Sequence, residues 1–169
     1  EEAKKLEAAG LDEYTIMDSA GTMLPDQAAA YTEALADALS IPVAFHCHNN
    51  LGLSAANALA AAQNGAKILD CGLMGMARSA GNLPTEVCVA MMQRHGQMMD
   101  VDLFGMLDFI ENRLQPAMET HNYHNPITPT DLTLGFSGCH SSFLKLFRQT
   151  ATEKKVNLFR LITEVSAVN

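Results

Sequence analysis

The chain has 169 residues, 48% of them hydrophobic and 18% charged, which is enough apolar content for one packed domain and too much for disorder. Its 11 Lys and Arg against 19 Asp and Glu leave a formal net charge of −8, a poor match for a nucleic-acid backbone. No apolar run approaches the roughly 18 residues of a membrane span, and the widely spaced Cys47, Cys71, Cys88 and Cys139 fit reduced thiols in a cytosolic protein better than a disulfide frame.

The chain opens on Glu1-Glu2-Ala3-Lys4-Lys5, which reads as helix interior rather than as a signal peptide, so the sequence looks cut from a longer one. That helix runs to Ala9 and stops at Gly10. Tyr14 to Met17 is short, β-branched and apolar, a buried strand. Turn residues Asp18 to Thr22 lead to Pro25, well placed in the first turn of a helix reaching Leu39. A second strand starts at Ile41 and ends in His46-Cys47-His48. Asn49 to Gly52 turns the chain into an Ala-rich helix, Ser54 to Gln63. Ala66 to Leu69 is a third strand, the loop Asp70 to Asn82 follows, and a helix spans Pro84 to His95. This βαβαβα order, with strands apolar on both faces, implies a parallel sheet covered by helices. A doubly wound sheet and a closed barrel both fit. In either one, chemistry collects at the carboxyl ends of the strands.

Beyond Gly96 only helices are evident. Asp102 caps one that carries Leu103, Met106, Leu107 and Ile110 and ends near Pro116. A polar loop from Thr120 to Thr130 holds Pro126 and Pro129. Leu132 to Cys139 introduces a helix from Ser141 to Lys155, and Leu158 to Val165 reads as the last. Residues 1–96 are thus read as one unit and 97–169 as a helical extension.

Strand alternation points His46 and His48 to the same side, with Cα atoms about 6.5–7 Å apart, and turns Cys47 away into packing. At a strand end two imidazoles can share one divalent metal, though two unrelated polar residues would look the same. A carboxylate oxygen would normally complete the shell for Mn²⁺ or Mg²⁺. Gly72 to Asn82 is rich in small residues that let backbone approach a ligand, and Asn82 offers an amide oxygen for metal or a donor for substrate; a plain strand-to-helix loop is the competing account. Asp18-Ser19 serves as a turn or brings a hydroxyl to substrate. His121 and His124 have a metal-like spacing only if helical, so a solvated loop is the simpler reading.

In order, Met17-Asp18-Ser19-Ala20-Gly21, His46 to Leu53, Ala56-Asn57, and Gly75-Met76 through Ala80-Gly81-Asn82 with Glu86 resemble the metal-dependent pyruvate aldolases of the 4-hydroxy-2-oxovalerate aldolase type. Their superfamily includes 3-hydroxy-3-methylglutaryl-CoA lyase and isopropylmalate synthase. Leu134 to Leu144 is similar to a segment of the aldolase's helical C-terminal region. The resemblance implies an α/β fold, the later part of a (β/α)8 barrel followed by that helical extension; a complete barrel takes about 250 residues.

By matching position His46 and His48 are the metal ligands, for Mn²⁺ or Mg²⁺. Ser19 falls where the family places a substrate-contacting serine, and Asn82, also expected to bind substrate, where the lyase branch places a metal-proximal amide. His140 stands where relatives carry a pocket-lining Tyr, and Arg78 interrupts a run of smaller residues. The family's Asp ligand, catalytic Arg and catalytic His are expected upstream of Glu1, so the segment alone is expected to be inactive, with strand edges and apolar faces exposed. The implied reaction is retro-aldol cleavage of a 4-hydroxy-2-oxo acid to pyruvate and an aldehyde, through an enolate stabilised by the metal. Metal affinity and activity should then fall as pH drops below the imidazole pKa, about 6.5 for an unperturbed ring. A CoA-dependent lyase or Claisen-type synthase is the near alternative. A non-catalytic module that binds a partner is the distant one, since the helical region of the family docks an acylating aldehyde dehydrogenase.

Overall fold

The computed structural model describes residues 1–121, 123 and 129–168. Three parallel strands, β1 (Tyr14–Asp18), β2 (Val43–Cys47) and β3 (Ile68–Leu69), lie side by side in that order. Register sets Tyr14 beside Val43 and Asp18 beside Cys47, so the carboxyl ends of β1 and β2 finish level. Phe45 pairs with Leu69 on the other side of β2. The strand expected from Ala66 shortens to two residues. The second begins at Val43, after Pro42, which has no N–H to give a ladder.

Helices α1 (Glu2–Ala8), α2 (Pro25–Ala38), α3 (Ser54–Gln63) and α4 (Thr85–Arg94) fill the intervals much as the sequence suggests. Gly10 closes α1 with φ of 95°, and Gln27 Oε1 accepts the Leu24 N–H at 3.0 Å at the start of α2. Glu7 ties α1 to the turn before β2 by accepting the Ser40 N–H at 2.7 Å and the Ser40 hydroxyl at 2.6 Å.

One face of the sheet carries Ile16, Val43, Phe45 and Cys47 and packs on Ala28, Ala58, Ala61, Cys88 and Met92 from the helices. Small alanines on α3 let that helix lie close to β2, all five of whose residues are buried. By alternation the opposite face carries Met17, His46 and Ile68. On that face Met17 is 56% and Ile68 38% exposed, while His46 and the neighbouring Ala44 are buried.

Among the described residues no strand follows β3. Asp102 caps α5 (Leu103–Phe109) as expected, accepting the Gly105 N–H at 2.9 Å. The helix does not end near Pro116. A single π turn, Ile110–Leu114, leads directly into α6 (Gln115–Glu119), and Pro116 sits in the first turn of α6. The wider turn resets the hydrogen-bond ladder there, so the missing proline N–H is tolerated.

The segment read as leading into a helix is itself helical over α7 (Pro129–Phe136). The next helix begins with a tight turn, Ser141–Phe143, and continues as α8 (Leu144–Lys154). Asn157 caps α9 (Leu158–Ser166), accepting the Arg160 N–H at 3.1 Å. Leu134, Cys139 and Ile162 form a second buried cluster with Leu144, Phe147 and Leu158. His124 and Pro126 lie outside the described residues. No helix among the described residues is long and apolar enough to cross a membrane.

Candidate active site

The functional candidates meet at the carboxyl ends of the strands. Asp18 closes β1 and turns its carboxylate onto its own loop, accepting the Thr22 N–H at 2.9 Å and the Met23 N–H at 3.1 Å. Its carbonyl accepts the His48 N–H at 3.1 Å, which fixes the exit of β2 against the exit of β1. Between them Gly21 has φ of 64°, and a β-carbon there would lie 2.8 Å from both the His48 oxygen and the Asn50 nitrogen. Only glycine fits that turn.

His46 and His48 do come together. Their ring centroids are 5.4 Å apart, with the ring planes at 76°. Cys47 turns away as alternation requires; its thiol donates to the Ser54 carbonyl at 3.4 Å, and burial pushes its pKa up to about 12. His46 Nδ1 sits 2.7 Å from Asp70 Oδ2, at the end of β3. With the proton of Nδ1 given to that carboxylate, the lone pair of the ring lies on Nε2. The sequence reading missed Asp70, since nothing local shows which strand ends will be neighbours.

His48 is 5% exposed, and its Nδ1 is buried with no protein partner among the described residues. Burial, then the positive charge of Arg78, then His46 push its pKa down to about 4. The ring is therefore neutral well below the usual imidazole range.

The Gly-rich loop closes over this pair. Asn82 forms an isolated antiparallel bridge with His48, and its Oδ1 is likewise buried without a protein partner. Asn49 donates its N–H to the Gly81 carbonyl at 2.8 Å, and Asn50 Nδ2 donates to Ser79 Oγ at 2.8 Å. Glu86 accepts the Met74 N–H at 3.0 Å, holding a residue with φ of 56° in place.

Ser19 is tied to the Gly-rich loop through its backbone, whose carbonyl accepts from Arg78 Nη2 at 3.4 Å. Arg78 Nη1 reaches across to Ser141 Oγ at 2.7 Å, next to His140. His140 itself is held by Ser142, with Nδ1 and the hydroxyl 2.8 Å apart. His140 is thus linked to the histidine pair only through Arg78 and Ser141.

A buried nitrogen and a buried amide oxygen, both without a protein partner, together with the free Nε2 of His46, are donors that suit a divalent cation. Among the described residues no three His, Cys, Asp or Glu side chains are grouped so as to hold a metal ion by themselves.

Residues 1–111 match the HMGL-like family model. The chain is 41% identical over 151 residues to 4-hydroxy-2-oxovalerate aldolase 2 of Rhodococcus opacus (strain B4), covering 89% of this chain and 43% of that protein. It is 39% identical over 165 residues to 4-hydroxy-2-oxovalerate aldolase of Chloroflexus aurantiacus, covering 97% of this chain and 47% of that one. The chain thus spans less than half the length of these curated relatives.

In fold it matches the carboxyl transferase domain of Rhizobium etli pyruvate carboxylase with a TM-score of 0.77 at 18% identity, covering 97% of this chain and 28% of that one. The parallel strands and covering helices are therefore the later part of a (β/α)8 barrel, with helices appended. Strand ends that carry His46 and His48 under a loop ending in Asn82, within a match over residues 1–111, place the chain in the HMGL-like family.

Proposed function

We propose that the protein to which this chain corresponds is a divalent-metal-dependent aldolase that cleaves a 4-hydroxy-2-oxo acid to pyruvate and an aldehyde. The observation that carries this reading is the paired, largely buried imidazoles of His46 and His48, one with an unpartnered nitrogen, beside the unpartnered oxygen of Asn82. The relatives' shared name supports the reaction class. We propose the division as well: residues 1–96 as the barrel part and 97–169 as the helical extension, each with its own buried cluster.

His46 Nε2, His48 and Asn82 Oδ1 would hold Mn²⁺ or Mg²⁺. Such a cation supplies the positive charge that stabilises electron density building on the C2 oxygen as the C3–C4 bond breaks. The chain's own residues prepare for this. Asp70 fixes the His46 tautomer and orients the ring. Burial and Arg78 keep His48 neutral and able to donate its lone pair. The loop over the pair, laced by Asn49, Asn50 and Glu86, excludes water from the histidines. Ser19 and His140 are assigned to substrate contact. The base that takes the C4 hydroxyl proton is assigned to the part of the relatives that this chain does not span. An acylating aldehyde dehydrogenase is the partner assigned to the helical extension, supported by exposed Phe104, Leu146 and Phe159.

The test uses the full-length enzyme. His46→Ala and His48→Ala should lose bound metal and retro-aldol activity together, while Asp70→Asn keeps the fold and binds metal about 10- to 100-fold more weakly by titration calorimetry. Pyruvate release that survives in the double alanine variant under chelator would end this reading. Release of CoA from a thioester, with none of pyruvate from a hydroxy-oxo acid, would move the protein to the CoA-dependent branch.

A further inference from the structure

We propose that a cavity between the Gly-rich loop and the Ser141–Phe143 turn is a subsite for a second carboxylate, on the C4 side of a 4-hydroxy-2-oxo diacid. The substrate assignment rests on the aldolase reading above. The cavity, about 500 Å³, is lined by Arg78, His140, Ser141 and Ser142 among others, with no Asp or Glu on its wall.

Arg78, Ser141 and His140 have donors to offer there. Arg78 gives one N–H to Ser141 Oγ at 2.7 Å and one to the Ser19 carbonyl at 3.4 Å, and no carboxylate pairs with it among the described residues. A guanidinium has five N–H groups, so donors remain. Ser141 Oγ accepts from Arg78, which leaves its own O–H to give. His140 Nδ1 accepts the Ser142 backbone N–H at 3.2 Å, so the neutral ring carries its proton on Nε2.

In a chain of net charge −8, a guanidinium without a counter-ion beside two such donors calls for an anion. A carboxylate matches it in charge and in planar two-oxygen geometry. Arg78 links the cavity to the strand ends. Arg78 bonds the carbonyl at the exit of β1, and its charge is felt at His48.

Cleavage of such a diacid balances without an added reagent. The C4 hydroxyl proton leaves to the base, and the C3–C4 electron pair stays with C3. C3 then takes up a proton to give pyruvate, and C4 departs as the aldehyde of an oxo acid whose carboxylate rests on Arg78.

The full-length, Mn²⁺-loaded enzyme is assayed for pyruvate release from a straight-chain 4-hydroxy-2-oxo monoacid and from the diacid of the same chain length. The diacid should be preferred about 10- to 100-fold in kcat/KM. R78Q should lower kcat/KM for the diacid about 10-fold more than for the monoacid, mainly through KM, and R78K should restore part of the preference. Equal kcat/KM for the two acids, a preference that persists in R78Q, or an equal loss on both acids in R78Q would each overturn the subsite while leaving the aldolase intact. Pyruvate from neither acid would overturn the aldolase reading and the substrate assignment together.

Discussion

His48 shows how one buried ring ties stability to acidity. In the unfolded chain it titrates near the ordinary value, about 6.5. In the fold, burial first, then Arg78 and then His46 push it down to about 4. The unfolded state therefore takes up the proton first as pH falls. Its contribution is fully present above about 6.5 and is lost progressively toward about 4, on the order of 3 kcal/mol at most. Urea unfolding of the metal-free full-length chain between pH 4 and 7.5 should show this fall, and His48→Gln should flatten it; an unchanged slope in the variant would refute the assignment. At this scale the sequence was informative where geometry is local. Alternation along one strand is enough to put His46 and His48 on one side and Cys47 on the other. Asp70 was illegible because its value comes from sheet order, which sets the end of β3 beside the end of β2. The partners of Arg78 were hidden for the same reason, since Ser19 and Ser141 are distant in sequence.

At the level of elements, the helices were read well because each has a start signal and an apolar stripe. Pro25, Asp102 and Asn157 all stand where helices begin. The errors fell where a neighbouring element overrides a local rule. Pro116 should end a helix, yet the π turn before it absorbs the missing donor. Residues 132–139 look like a lead-in, yet 129–136 fold as a helix whose Leu134 is fully buried against Ile162 of α9. The turn between β1 and α2 makes a sharp test of how the strand ends are joined. Gly21→Ala would combine a left-handed backbone with a β-carbon 2.8 Å from two backbone atoms of the histidine segment. The expected cost is about 2–4 kcal/mol, read as a lower denaturation midpoint, with weaker metal binding because the His48 carbonyl must move. A variant as stable as the parent would show that the turn relaxes freely.

Across the whole molecule the two buried clusters look at first like independent bodies, one under the sheet and one among α7, α8 and α9. The contact at Gly135 says otherwise. A β-carbon on this helical residue would stand 2.8 Å from Asn50 Cβ and 3.2 Å from Leu51 Cδ2, so α7 is seated directly on the loop that follows the histidines. With a seat only a hydrogen atom wide, neither body can loosen without unseating the other. Differential scanning calorimetry should then record a single endotherm for both halves. Splitting of that peak in Gly135→Val, which wedges the seat open, would mark this glycine as the latch between the barrel and its helical arm.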